Sequence, residues 1–194
     1  MSSRDTILRA LRAAAIPAEA KPAHPKGVVF EDPVEKFAEV LATVGGAFVR
    51  VATAQEADAR LRALEVYRAA RQIASFVPGV GASTINCSQA ERPHDLKNLD
   101  FVILPGEFGV AENASIWVPG SVLGRHRAAF VIAQHMALVV SAGEIVNNMQ
   151  EAYTRVNLGC FGLFISGPSK TADIEQALVI GAHGARSCTV FVIG

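Results

Sequence analysis

The chain has 194 residues, with eighteen Lys and Arg balanced by eighteen Asp and Glu for a formal charge of zero. That balance excludes the clustered basic footprint that phosphate neutralisation requires, so no nucleic-acid partner is expected. Hydrophobic residues make up 51% of the chain and the mean hydropathy is +0.30. A sizeable core can therefore be buried in one domain with a short appendage.

No apolar run reaches the ~18–20 residues that cross a bilayer, and the start lacks a signal-peptide core. A cytoplasmic protein without membrane insertion is the expectation. The three cysteines, Cys87, Cys160 and Cys188, are widely separated and form no C-x-x-C pair, so the chain carries no zinc-ribbon or iron–sulfur ligand run of its own. Cys160 and Cys188 lie in apolar runs, where a thiol is expected to be buried as a small hydrophobe.

In chain order, residues 2–15 read as a short helix, with Ser2 and Asp5 at capping-box spacing and Ile7, Leu8 and Leu11 as a narrow apolar stripe. Residues 16–27 contain Pro17, Pro22 and Pro25 among Ala and Lys, which is linker composition. The helix and linker (1–27) thus precede a main domain over 28–194, and the helix is expected to dock on that domain, swap onto a partner or stay free. Val34, Phe37, Ala38 and Leu41 predict a helix ended by Gly45-Gly46, and 47–51 a strand. Residues 54–71 predict one helix, in which Arg60, Arg62, Arg68 and Arg71 interleave with Glu56, Asp58 and Glu65 as a solvated face. Strands are expected at 73–77 and 100–104. Residues 115–118 and 129–132 read as a hairpin joined through Pro119-Gly120, and 136–141 as a further apolar strand. Ile145, Met149, Ala152 and Val156 predict a helix, with Asn147, Asn148 and Gln150 on a face left to solvent or a partner. The last third reads as a strand over 160–166, a helix carrying Ile174, Ala177, Leu178 and Gly181, and a closing strand over 189–193. Apolar strands separated by helices imply an α/β fold with an open, three-layer, mixed but mostly parallel sheet.

The segment 161–186 is the most informative. Gly167-Pro168 breaks a strand and lets backbone approach something closely. Ser169, Thr171 and Asp173 are each suited to cap the helix that follows, Asp173 with Gln176 at the reciprocal position. Free N–H groups at that helix start, with the hydroxyls and Lys170, predict a site for a small anion. A well-capped turn with nothing bound fits the same residues. The Walker spacing is absent.

The run over 167–175 (GPSKTADIE), followed by Gly181-Ala-His-Gly184, closely resembles the signature of the lactate-utilisation protein C (LUD-domain) family. Ala111-Glu112, and Arg127 eight residues before His135, agree with the family's order. The resemblance covers roughly residues 30–194. It implies a fold similar to the sugar-phosphate isomerases and CoA transferases, and related to the folate cyclo-ligases. It also implies a role beside two iron–sulfur partner proteins in oxidising L-lactate to pyruvate, the clusters lying on those partners. On this reading Gly167, Ser169, Lys170, Thr171, Asp173, His183 and Gly184 form the ligand site. The chain departs from the family where Thr-Gly-Thr usually follows Ala-Glu, reading Asn113-Ala114-Ser115, and where Ile132-Ala133 replaces a proline-containing turn.

Two other residues are candidates for chemistry. Glu112 fits a general base or an acyl-accepting nucleophile, and equally a cap of the hairpin or an ion-pair partner of Arg125 or Arg127. His135 fits a catalytic base, and equally a satisfied core histidine; His183 fits a helix C-terminus. No His or carboxylate spacing predicts a metal. Gly79-Val80-Gly81 begins like a dinucleotide loop but lacks the third small residue, so a plain turn is expected. The alternatives to the lactate system are a stand-alone enzyme of CoA-transferase or cyclo-ligase type, and a metabolite-sensing assembly module.

Overall fold

The computed structural model describes residues 2–14, 20, 22, 25–122, 124, 127–157, 159–173 and 176–194. Pro17, Arg125 and Ile174, named above, lie outside the described residues. Helix α1 (Ser3–Ala13) starts with the capping box foreseen between Ser2 and Asp5. Asp32 caps α2 (Pro33–Thr43), accepting from the Val34 and Glu35 N–H groups. Strand β1 (Ala47–Val51) follows. The single helix expected over 54–71 is two, α3 (Ala54–Ala63) and α4 (Glu65–Ala69), because Leu64 between them is extended. That break delivers Tyr67 edge-on to Phe101 at 5.3 Å, with its hydroxyl accepting from Ala82 N–H.

Strands β2 (Ile73–Ser75), β3 (Phe101–Pro105), β4 (Phe108–Val110) and β5 (Ser115–Pro119) precede the short helix α5 (Ala129–Ile132). Then come β6 (His135–Ser141), β7 (Ile145–Val146), α6 (Met149–Arg155), β8 (Gly162–Ile165), β9 (Lys170–Thr171), β10 (Val179–Ile180) and β11 (Ser187–Ile193). The fold is α/β around a five-stranded, wholly parallel sheet in the order β1-β11-β6-β3-β2. One of its faces packs Phe101, Ile103, Ala137, Val139 and Phe191 against Ala57 and Leu61 of α3. The other packs Val102, Leu104, Leu138, Val190 and Val192 against Phe37 and Leu41 of α2 and Ile116 and Val118 of a second sheet. Burial on both faces is why these strands read as unbroken apolar runs.

Four expectations are corrected. Residues 129–132 are helical, and β5 pairs instead with β4 and β8 in a second, four-stranded sheet ordered β7-β4-β5-β8. The helix expected through Ala177, Leu178 and Gly181 is a hairpin of β9 and β10, Thr171 opposite Val179 and Lys170 opposite Ile180. Gln176 at φ 53° and Gly181 at φ 81° are left-handed, and Leu178 and Ile180 face outward, so there is no core face for a helix to bury. Cys160 is exposed, whereas Cys87 and Cys188 are buried; burial pushes the Cys188 thiol up to about 12. Asn147 and Asn148 are likewise not a solvent face. Asn147 Oδ1 accepts from Phe30 N–H at 2.8 Å and Asn148 Nδ2 donates to the Val28 carbonyl at 2.8 Å, tying down the segment that enters α2.

The edge of the parallel sheet is sealed by hydroxyls. Thr84 Oγ1 accepts from Ile73 N–H and donates to the Arg71 carbonyl, while Ser83 Oγ accepts from Ser75 N–H. The Gly79–Gly81 turn therefore leads into a cover for β2, with Gly81 N–H held by Asp58, and no α-helix opens on it. An unpaired edge would invite another strand; here side chains take the place of a neighbour.

The turn between β4 and β5 carries backbone strain. Ala114 has φ 52°, a left-handed conformation that costs an L-residue about 1–2 kcal/mol. Asn113 Oδ1 holds the turn by accepting from both N–H and Oγ of Ser115. Replacing Ala114 by Gly removes that strain but loses one buried methyl, worth about 0.8 kcal/mol. Ala114→Gly is therefore expected to stabilise the protein by about 0.5 kcal/mol in urea unfolding; destabilisation would show that the methyl contact outweighs the strain.

Candidate functional site

The loop from Ser166 to Thr171 is built by its neighbours. Ser166 Oγ donates to the Asn113 carbonyl at 2.8 Å, which brings the 111–114 turn and the end of β8 together. Gly167 sits at φ 69°, and a Cβ there would lie 2.8 Å from the Val44 carbonyl oxygen, so only glycine permits this approach. Ser169 N–H donates to Ala185, Gly181 N–H donates to Ser169, and a Cβ on Gly184 would be 3.0 Å from Ser169 Cβ. The 167–171 and 181–185 halves of the sequence signature thus pack directly on each other.

The chemistry assigned to this loop changes with the structure. Among the described residues no helix follows it, so neither Asp173 nor Thr171 caps one there, and the anion site loses the helix-start N–H groups on which it rested. The Lys170 ammonium donates to the carbonyl of Val44, the residue that ends α2, and also reaches the Pro168 carbonyl. It therefore neutralises the negative end of a helix. His183 is exposed on the 181–184 turn and ends no helix. Ser169, Thr171 and the exposed Asp173 remain as surface polar groups.

Glu112 has a structural occupation as well. Its Oε1 accepts from Met149 N–H at 2.9 Å, placing a carboxylate at the start of α6, and its own N–H donates to the Asn147 carbonyl. Arg127 lies 4.3 Å from the centroid of Phe161 and so stacks on that ring. Glu112 belongs to the second sheet and α6, His135 to the first sheet, and among the described residues no contact joins Glu112, His135 and His183.

His135 begins β6 and is the best-defined polar group beside a cavity. Strands β11, β6 and β3 start in register, so Ser187, His135 and Phe101 form one row across the sheet. The imidazole stacks on Phe101 at 6.3 Å, and its Nδ1 lies 2.8 Å from Ser187 Oγ. Asp100 is fixed alongside by accepting from the N–H groups of Arg71 and Gln72, at 2.8 and 2.9 Å. Those two bonds hold its carboxyl below the usual 3.8. A cleft of about 410 Å³ opens here, lined by Glu65, Ala69, Asp100, Gln134, His135 and Arg186. That lies within the usual range for small-molecule sites, about 300–1,000 Å³. A larger hollow of about 510 Å³ lies by Ser75, Ser83 and Thr84, but its hydroxyls are the ones that seal β2.

Burial, and then the Arg186 charge, push His135 below its ordinary 6.5, while Asp100 pulls weakly the other way. The cleft at neutral pH thus presents a neutral imidazole, able to exchange a proton, close to a guanidinium that among the described residues makes no ion pair. Arg186, Ser187 and Gln134 escaped the sequence reading because nothing in their spacing relates 186–187 to 134–135; only strand register does. Among the described residues no group of three or more His, Cys, Asp or Glu is placed to hold a metal ion.

A folded pKa below 6.5 means that the unfolded chain takes up this proton first as pH falls. The contribution of neutral His135 to stability is intact above about pH 6.5 and is lost on acidification below it. A proton NMR titration of the His135 ring should give a midpoint below 6.5, and Arg186→Gln should raise it. A midpoint at or above 6.5, insensitive to Arg186, would contradict this electrostatic account.

The sequence pattern of the LUD domain matches residues 70–193, nearly two thirds of the chain. A relative described as Lactate utilization protein C, from Exiguobacterium sp. (strain ATCC BAA-1283 / AT1b), is 28% identical over 177 residues, covering 82% of this chain and 76% of its own. The crystal structure of a DUF162 family protein from Deinococcus radiodurans superposes with a TM-score of 0.61 at 19% identity, over 84% of this chain and 96% of that one, a likeness of fold. The matched region takes in β2 through β11, and with it the His135 row and both halves of the 167–185 loop. The chain belongs to the LUD-domain family.

Proposed function

We propose that this chain serves lactate utilisation, and that a small carboxylate meets it at the cleft of His135, Gln134 and Arg186. The family match, together with the name carried by the Exiguobacterium relative, supports the process. The observation that carries the site is the cleft of about 410 Å³ in which a neutral histidine stands close to an arginine that makes no ion pair among the described residues. Guanidinium suits a carboxylate because it offers parallel N–H donors, and such charge-assisted bonds are among the strong ones. A hydroxyl on the neighbouring carbon then has an imidazole to bond with. The 167–173 loop is the weaker seat for an anion, since Lys170 is engaged by Val44 and Pro168.

Oxidising a hydroxy acid requires an electron acceptor, and three dispersed cysteines offer no cluster ligand run. The electron carriers in this reading are two iron–sulfur partner proteins, with the present chain binding or delivering the carboxylate. An anaerobic tagged purification from the native host, with mass spectrometry of what co-elutes, tests it. Two iron–sulfur proteins should accompany the chain, and the assembly should reduce a dye when given L-lactate. Elution alone, without lactate-dependent dye reduction, would overturn the reading.

A further inference from the structure

Helix α1 has an apolar stripe that is left unburied among the described residues. None of its residues is buried, and Ile7 and Leu11 are 60% and 63% exposed. An isolated helix shorter than about 12–15 residues is marginal in water, and α1 has 11. Its capping box contributes to the first turn, yet most helical stability in proteins comes from packing an amphipathic face. A cover for that face is therefore part of what α1 needs to persist. Its charges are mostly basic: Arg4 lies a turn before Ile7 and Leu8 on their face, and Arg12 flanks the stripe beside Asp5.

The complementary surface is on the same chain. A groove of about 710 Å³ runs along the start of α2, lined by Phe30, Glu31, Asp32, Glu35, Lys36 and Glu39. Its one lysine is paired with Glu39 at 2.9 Å, which leaves an excess of carboxylates around the Phe30 ring. Val28 and Val29, 58% and 73% exposed, extend the apolar ground beside it. The groove is rigidly held, since Phe30 N–H and the Val28 carbonyl are bonded to Asn147 and Asn148. At 11 residues α1 is about 16 Å long, and a chain from Ala14 to Gly27 can span at most roughly 45 Å, enough to carry the helix to a neighbour.

We propose that α1 of one copy docks on the acidic groove at the start of α2 in a second copy, reciprocal exchange closing a symmetric dimer. No residue of α1 is buried within the described chain, and its basic charge complements the acidic groove that a second copy presents. Exchange buries the Ile7–Leu11 stripe on Phe30, Val28 and Val29, sets Arg4 and Arg12 among Glu31, Glu35 and Glu39, and leaves no open end to propagate.

Sedimentation velocity of the full chain at micromolar concentration tests this, alongside two charge-reversal variants, R4E/R12E in the helix and E35R/E39R in the groove. The wild type should dimerise, and more weakly as salt rises, because exposed charges are screened. Each variant alone should weaken the dimer about tenfold or more, with unchanged far-UV circular dichroism of the domain. Mixing the two variants should restore association, because in the mixed dimer both helix–groove contacts are matched in charge. A wild type that is monomeric throughout, or a dimer indifferent to both variants, would overturn the proposal. So would a monomer in which cysteines placed at Ile7 and Phe30 cross-link within one chain.

Discussion

A parallel sheet exposes neither face to water, so each of its strands must be covered twice, and most of this molecule follows from meeting that demand. Helix α3 and Tyr67 cover one face through Phe101, Ala137 and Phe191. Helix α2 and the second sheet cover the other through Leu104, Leu138 and Val190. Because β3, β6 and β11 must run side by side in one direction, their first residues, Phe101, His135 and Ser187, arrive in a row at one edge of the sheet. The candidate site is a by-product of register: a histidine stacked on one neighbour, bonded to the next and flanked by Asp100 and Arg186.

The same logic gives several of the polar residues singled out from the sequence a structural occupation. Lys170 closes the end of α2, Glu112 starts α6, and Asn147 and Asn148 pin the 28–30 segment. Each satisfies backbone groups that burial or a helix end would otherwise leave without partners, and leaving such a group unpaired costs about 1–3 kcal/mol. The long 167–185 signature is thus read here as the sequence of a joint, where two loop halves and the end of α2 meet with little room. Gly167 and Gly184 sit where these pieces approach one another, against Val44 and Ser169.

Sequence periodicity predicted the elements whose burial is governed by one face or two. The strands at 47–51 and in the 136–141 and 189–193 runs, helix α2, and even the capping box of α1 are found as expected. It misread segments whose conformation is set by distant partners. Residues 174–181 have helical spacing, but Ser169 and Ala185 clamp the two ends of the loop, Gln176 and Gly181 are left-handed, and Val179 and Ile180 pair with Thr171 and Lys170. Residues 129–132 are apolar enough for a strand, yet β5 already has β4 and β8 on either side. Of the site, His135 was legible as a lone histidine between apolar runs; Arg186, Gln134 and Ser187 were not, because strand order is not written in spacing.

The claim on which the functional account rests is that a small carboxylate binds at the edge of the sheet where the strands begin. Amide chemical-shift mapping of the full-length chain during titration with L-lactate tests it directly. The account predicts saturable shifts at Gln134, His135 and Arg186, with Lys170 and Thr171 left in place. Shifts confined to the 167–173 loop, or none at any lactate concentration, would contradict it.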